Sequence, residues 1–197
     1  ERSVPQLREL LSHADQRIRL NAQFELVKRN EIDSLAEDSQ ADHQLKSIHA
    51  VWGLGQLARA ENETAINQLL KLLDAADPEI QVQASKALGD LKPGSFNGQV
   101  LIPLLDSPHP RVRFQAALSI GQQGVSEAFN KIVSMIEATK ENDTYMRHAG
   151  VVSLEGIGGA ETLLDHASEQ VRLSAVVALR RLVNPSVADF LMDSSEL

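Results

Sequence analysis

Apolar side chains recur along this chain in a repeating pattern. Val112-Arg113-Phe114-Gln115-Ala116-Ala117-Leu118-Ser119-Ile120-Gly121 carries them at i, i+4 and i+8, with a further one at i+6. That is the period of an amphipathic helix, not the alternation of a strand. Similar strings run from Ile18-Arg19 through Ala22, Phe24 and Leu26, and from Ile80-Gln81 through Ala84 and Leu88-Gly89. Others run from Met146-Arg147 through Gly150, Val152 and Leu154, and from Val171-Arg172 through Ala175, Val177 and Leu179. A weaker copy reads Lys46-Ser47, Ala50, Trp52, Leu54-Gly55. The small-residue column Ala22, Ala50, Ala84, Ala116, Gly150 and Ala175 has spacings of 28, 34, 32, 34 and 25 residues. A small residue there admits a neighbouring helix, and the uneven spacing predicts connections of varying length.

Upstream of most copies lies a second apolar helix marked by paired leucines or their equivalents: Leu7/Leu10/Leu11, Leu69-Leu70/Leu72-Leu73, Ile102/Leu104-Leu105, Ile132-Val133/Ile136 and Leu163-Leu164. Turn formers separate the two helices, including Asp77-Pro78, Ser107-Pro108-His109-Pro110 and Asn142-Asp143-Thr144. Asp77 or Ser107 suits the N-cap of the second helix, and Pro78 or Pro110 its first turn. Gly89, Gly121 and Gly158-Gly159 are read as punctuating helix ends. The predicted unit is helix A, turn, helix B, repeated six times. Residues 186–192 read as the first helix of a seventh unit. The expected fold is therefore an all-α, right-handed α-solenoid of about six two-helix repeats plus one orphan C-terminal helix. It forms a single solenoid over residues 1–197, and its uncapped end predicts that the protein continues.

The helix-turn-helix layout, the Asp/Pro turns and the V-R-x-x-A strings at Val112-Arg113-Ala116 and Val171-Arg172-Ala175 resemble HEAT repeats, over nearly the whole chain. The short period of about 30 residues is similar to the compact bacterial HEAT-like class. A narrower resemblance rests on Arg19 to Leu26 and His49 to Leu57. It is to the helical middle region of planctomycete-type proteins that join a β-propeller to a cytochrome c-like domain. That likeness implies an extracytoplasmic location and a spacer or docking role inside a redox protein. The haem motif C-x-x-C-H is absent from this sequence.

Composition narrows the function classes. The net charge of −8 argues against nucleic acid as the main partner, since phosphate binding needs a basic face. With no cysteine, disulfides, thiolate metal sites and cysteine nucleophiles are excluded. No apolar run reaches the ~20 residues that span a bilayer. Of six histidines, His13, His109 and His166 each fall in a turn between the two helices of a unit, and even adjacent units are ~10 Å apart, too far to share a metal. HEAT-like hydroxylases carry His-Glu dipeptides, which this chain lacks. Another HEAT-like family attaches bilin chromophores, and no residue here specifically supports that activity. Gly156-Ile157-Gly158-Gly159 follows a helix and lacks the Lys-Ser/Thr of a phosphate loop, so it reads as a turn. No cofactor is expected.

Two columns of the second helix draw attention. The first reads Arg19, Ser47, Gln81, Arg113, Arg147, Arg172. Its arginines could form a stripe for an anionic partner. The expectation is instead a structural inter-repeat ladder to the turn carboxylates Asp15, Asp77, Asp106 and Asp143, because guanidinium pairs readily with carboxylate. The second column is polar: Asn21, His49, Gln83, Gln115 and, further on, Ser174. With Trp52 it is the candidate groove for a protein or peptide, or for flanking domains of the same chain. Trp52 itself is expected in the core, since its column otherwise holds Phe24, Lys86, Leu118, Val152 and Val177. The function expected is a non-catalytic, monomeric binding or scaffolding module. The alternatives are an intramolecular spacer and, less supported by the residues, a HEAT-like lyase or hydroxylase.

Overall fold

A computed structural model describes residues 2–140 and 143–192. The described residues are helical and contain no strand. They fall into two compact units, Glu1–Phe96 and Asn97–Leu197.

The first unit holds three helix pairs: α1 (Val4–Leu10) with α2 (Gln16–Lys28), α3 (Ile32–Asp38) with α4 (Gln44–Arg59), and α5 (Glu63–Lys71) with α6 (Pro78–Gly89). A 3-10 turn, Leu72–Asp74, extends α5. Each pair packs on itself, and the second helices α2, α4 and α6 pack in series. The helix starts follow the turn chemistry. The Asp15 side chain accepts from the Arg17 amide, Asn62 from Ala65, and Asp77 from Glu79, with Pro78 in the first turn. Each such cap contributes ~1 kcal/mol. Asn30 and Glu61 sit in the left-handed region past the ends of α2 and α4. The amides that follow them bond back to Leu26 and Leu57 (3.0 and 3.2 Å), satisfying otherwise orphaned carbonyls. Leu11, Leu26, Leu35, Leu54, Leu69 and Leu88 are fully buried, and Ala22, Ala50 and Ala84 lie beneath them as the small column.

The second unit repeats the plan, with two of its first elements 3-10 rather than α-helical. A 3-10 segment, Gly98–Asp106, precedes α7 (Pro110–Gln123); α8 (Phe129–Glu137) precedes α9 (Thr144–Ile157); a four-residue 3-10 turn, Ala160–Leu163, precedes α10 (Glu169–Arg181). A last 3-10 segment spans Pro185–Met192, where the seventh first helix is expected. Pro103 lies inside the first of these segments; lacking an amide hydrogen, it disfavours α-helical bonding there. The four-residue turn accounts for the 25-residue spacing between Gly150 and Ala175. Ile120, Ile132, Ile136, Leu154 and Leu179 fill this core.

The first helix of the second repeat, α3, is anchored by buried Leu35, against Gly53 of α4. Two readings of local sequence are corrected. Ser107 does not cap α7: His109 occupies that position, and the Ser107 hydroxyl accepts the His109 amide instead. Gly121 is not punctuation but lies within α7, where a Cβ would fall 2.6 Å from the Val152 carbonyl oxygen. Across the same contact, a Cβ on Gly156 would fall 1.9 Å from the Gly121 oxygen. Helices α7 and α9 therefore touch backbone to backbone, and the Ser153 hydroxyl donates to the Ala117 carbonyl across them (2.8 Å). Residues 194–197, from which the uncapped end was read, and Asn142 of the fifth turn lie outside the described residues.

Candidate functional site: the second-helix face of residues 2–96

The arginine column performs a local task. The side chain at this position reaches back six residues to a carbonyl in the preceding turn. Arg19 donates to His13 (2.7 Å), Ser47 to Ala41 (2.7 Å), Gln81 to Ala75 (2.9 Å), Arg113 to Ser107 (2.8 Å) and Arg172 to His166 (2.9 Å). Arginine, serine and glutamine all serve because the turn requires only a donor of suitable reach. For Arg147 the corresponding position lies outside the described residues. The carboxylate ladder is thus corrected for Arg19 and Arg113. Arg19 and Arg113 are directed at carbonyls, while Asp15, Asp77 and Asp143 cap α2, α6 and α9, and Asp106 pairs with Lys131. Asp15 also pairs with Arg17, whose guanidinium holds that carboxyl below its ordinary range.

A charged link between repeats exists elsewhere. Asp38, buried at the end of α3, receives the Arg8 guanidinium from α1 through two bonds (3.0 and 2.8 Å) and the Lys46 ammonium from α4 at 2.8 Å. Residues so far apart in sequence left no local signature of this clamp.

The polar column divides. Asn21 is exposed and Gln83 half-buried, but His49, Gln115 and Ser174 are buried. At His49, Gln115 and Ser174 the helix surface is covered rather than open to solvent. His49 is 1% exposed and bridges α4 to α2. Its Nε2 accepts from Arg19 Nε (3.0 Å), which places the proton on Nδ1 for donation to Gln23 Oε1 (2.8 Å). Burial first, and then the Arg19 charge, push the His49 pKa down to about 4, so the ring is neutral near pH 7. Gln115 donates to Ser119, and Ser174 to the Gln170 carbonyl.

The open face lies three residues further along the helices. Phe24 is 49% exposed and Trp52 37%, which corrects the expectation of a core tryptophan; Lys86 is exposed as well. The equivalent Leu118, Val152 and Val177 of the second unit are half-buried. Around Trp52 runs a groove floored by α2, α4 and α6 and lined by Leu20, Phe24, Gln56, Arg59, Gln83 and Lys86, among others. Leu45, one further large apolar side chain of α4, is 42% exposed.

Trp52 is held although exposed. Its indole N–H donates to Gln83 Oε1 of α6 (2.8 Å), and Gln83 donates in turn to Glu79 (2.7 Å). Its ring meets the His49 ring edge to face, with centroids 4.8 Å apart and planes at 68°. A chain of contacts therefore runs from the first turn through Arg19, His49 and Trp52 to Gln83, crossing three repeats. Among the described residues no three or more His, Cys, Asp or Glu side chains converge as a metal site. No described helix is long and apolar enough to cross a membrane. The turn histidines His13 and His166 each accept a backbone amide two residues on.

The fold is that of HEAT- and armadillo-like helical repeats. No family model and no curated protein matches the chain. Solved structures do. The CpcE–CpcF complex of phycocyanin lyase from Nostoc sp. PCC7120 is similar at a TM-score of 0.59 with 22% identity, covering 81% of this chain and 68% of that one. A designed armadillo repeat protein in complex with the peptide (KR)4 is similar at 0.54 and 19%, covering 91% and 99%. The HEAT-like repeats protein of the archaeon Thermococcus onnurineus NA1 is similar at 0.51 and 15%, covering 99% and 84%. At these identities the likeness shows a shared fold.

Proposed function

We propose that this chain is a non-catalytic binding module. It takes an extended segment of a partner protein on the exposed face of α2, α4 and α6, with Trp52 at its centre. One observation carries the reading: Phe24, Leu45 and Trp52, three large apolar side chains, stand exposed on adjacent helices of one unit. Clustered exposed apolar surface marks interaction sites, and tryptophan is enriched among residues that dominate binding energy. Fixing Trp52 through Gln83 and His49 lowers the ordering cost of binding. The designed armadillo protein solved with a peptide lends support by its fold. Of the candidate column, Gln83 lines this groove, exposed Asn21 lines a separate one beside α1, and His49 supports the anchor from beneath.

Site-directed photo-crosslinking tests this. Benzoylphenylalanine at Gln56, in the groove, should trap a partner from the source cell, and the same probe at exposed Lys71 of α5 should not. The Phe24→Ala/Trp52→Ala variant should lose the crosslink while remaining folded by circular dichroism. Equal trapping from both positions, or trapping indifferent to the double variant, refutes the assignment of the face.

A further inference from the structure

We infer that the segment bound at this face is acidic, with an apolar or aromatic side chain seated between Phe24 and Trp52 and carboxylates meeting Arg59 and Lys86. The inference rests on the reading above, and it adds the chemistry of the occupant.

Positive charge stands beside apolar surface in this groove. The chain carries a net −8, yet two cations, Arg59 and Lys86, line the groove against one anion, Asp90. Arg59 and Lys86 both stand in the last turns of their helices. Among the described residues neither Arg59 nor Lys86 is paired with a carboxylate, unlike Arg8, Arg17, Arg29 and Arg181. Arg59 lies two helical turns past Trp52 on the same face of α4, ~10 Å along the axis. An extended segment rises ~3.3 Å per residue, so a carboxylate about three residues from an apolar anchor reaches Arg59. Positive charge beside apolar surface favours negative partners by steering and by selecting against basic ones. Gln56 and Gln83, with amides at the groove wall, suit hydrogen bonding to the segment's backbone.

Trp52 is the chain's one tryptophan, so its emission reports occupancy directly. The probes are three tryptophan-free octapeptides: (Glu-Leu)4, (Lys-Leu)4 and (Glu-Ser)4. (Glu-Leu)4 should shift Trp52 emission saturably, with (Lys-Leu)4 and (Glu-Ser)4 at least tenfold weaker. The Arg59→Glu/Lys86→Glu variant, changed only at exposed side chains, should melt as the parent does and invert the preference between (Glu-Leu)4 and (Lys-Leu)4. Equal or tighter binding of (Lys-Leu)4 to the parent overturns the acidic occupant and leaves the binding face standing. A concentration-dependent dimer that Trp52→Ala dissociates overturns it too, the occupant then being a second copy. If no peptide moves the emission up to millimolar concentration, the inference fails, and the crosslinking result decides the face separately.

Discussion

Replacing Gly156 with alanine probes the backbone contact between α7 and α9. The added Cβ would lie 1.9 Å from the Gly121 carbonyl oxygen and 2.8 Å from the Gly121 Cα. Because backbone, not a side chain, stands in the way, no rotamer change relieves the clash, and α7 and α9 must separate. Overpacking of this kind costs ~1–3 kcal/mol, and the rigidity of both partners puts this case at ~3. The separation also strains the bond from Ser153 to the Ala117 carbonyl. Against this, alanine is favoured over glycine in a helix by up to ~1 kcal/mol. The net is a destabilisation of about 2 kcal/mol, or a fall in melting temperature of roughly 4–8 °C for a chain of this size. Thermal unfolding followed by circular dichroism measures it. The matched control is Gly55→Ala, whose Cβ meets only side-chain atoms, the Ala87 methyl at 3.2 Å and Arg59 Nη1 at 3.8 Å, and there the two effects should nearly cancel. If Gly156→Ala melts at or above the parent temperature, propensity has won and the backbone contact between α7 and α9 is not as close as described.

Other positions give independent tests. His49 takes up its proton at about 4 when folded and near 6.5 when unfolded, so its contribution is complete above pH 6.5 and is lost as pH falls towards 4. Urea titrations should show the parent losing on the order of 3 kcal/mol more than His49→Gln across that window, at about 1.4 kcal/mol per pH unit; parallel pH profiles contradict the buried neutral ring. Asp38→Asn leaves Arg8 and Lys46 without their shared carboxylate and should lower stability by ~2 kcal/mol, less than a fully buried pair because both cations are partly solvated; an unchanged denaturation midpoint would show the clamp to be inert. Val183, a β-branched residue at φ 55° and 86% exposed, should gain stability of ~1 kcal/mol on replacement by glycine, and a lower melting temperature would contradict that conformation.

The repeat was legible because it is periodic and local. Apolar spacing, the small column and the Asp-Pro turn each act within one helix or turn, so they are written in adjacent letters. Even the spacing of 25 residues between Gly150 and Ala175 corresponds to a first helix reduced to Ala160–Leu163. What the letters did not reveal depends on the neighbouring repeat. His49 faces α2 and not solvent because Gln23 and Arg19 stand opposite it. Trp52 faces solvent because the buried side of α4 is already filled by Ala50, Leu54 and Leu57. The arginine column invited carboxylate partners by chemistry, whereas the geometry offers turn carbonyls six residues back; the presence of Ser47 and Gln81 in that same column was the available hint that a donor, not a charge, is required. The Asp38 clamp joins residues 8, 38 and 46, a pairing that spacing alone does not announce.

The central claim is that the face of α2, α4 and α6 binds. Its most direct test is the Kd of the crosslinked partner for the Phe24→Ala/Trp52→Ala variant against the parent chain, measured by titration calorimetry. At least a tenfold weakening is expected, the effect of removing a central aromatic anchor, with the fold intact. An unchanged Kd would place the binding surface elsewhere.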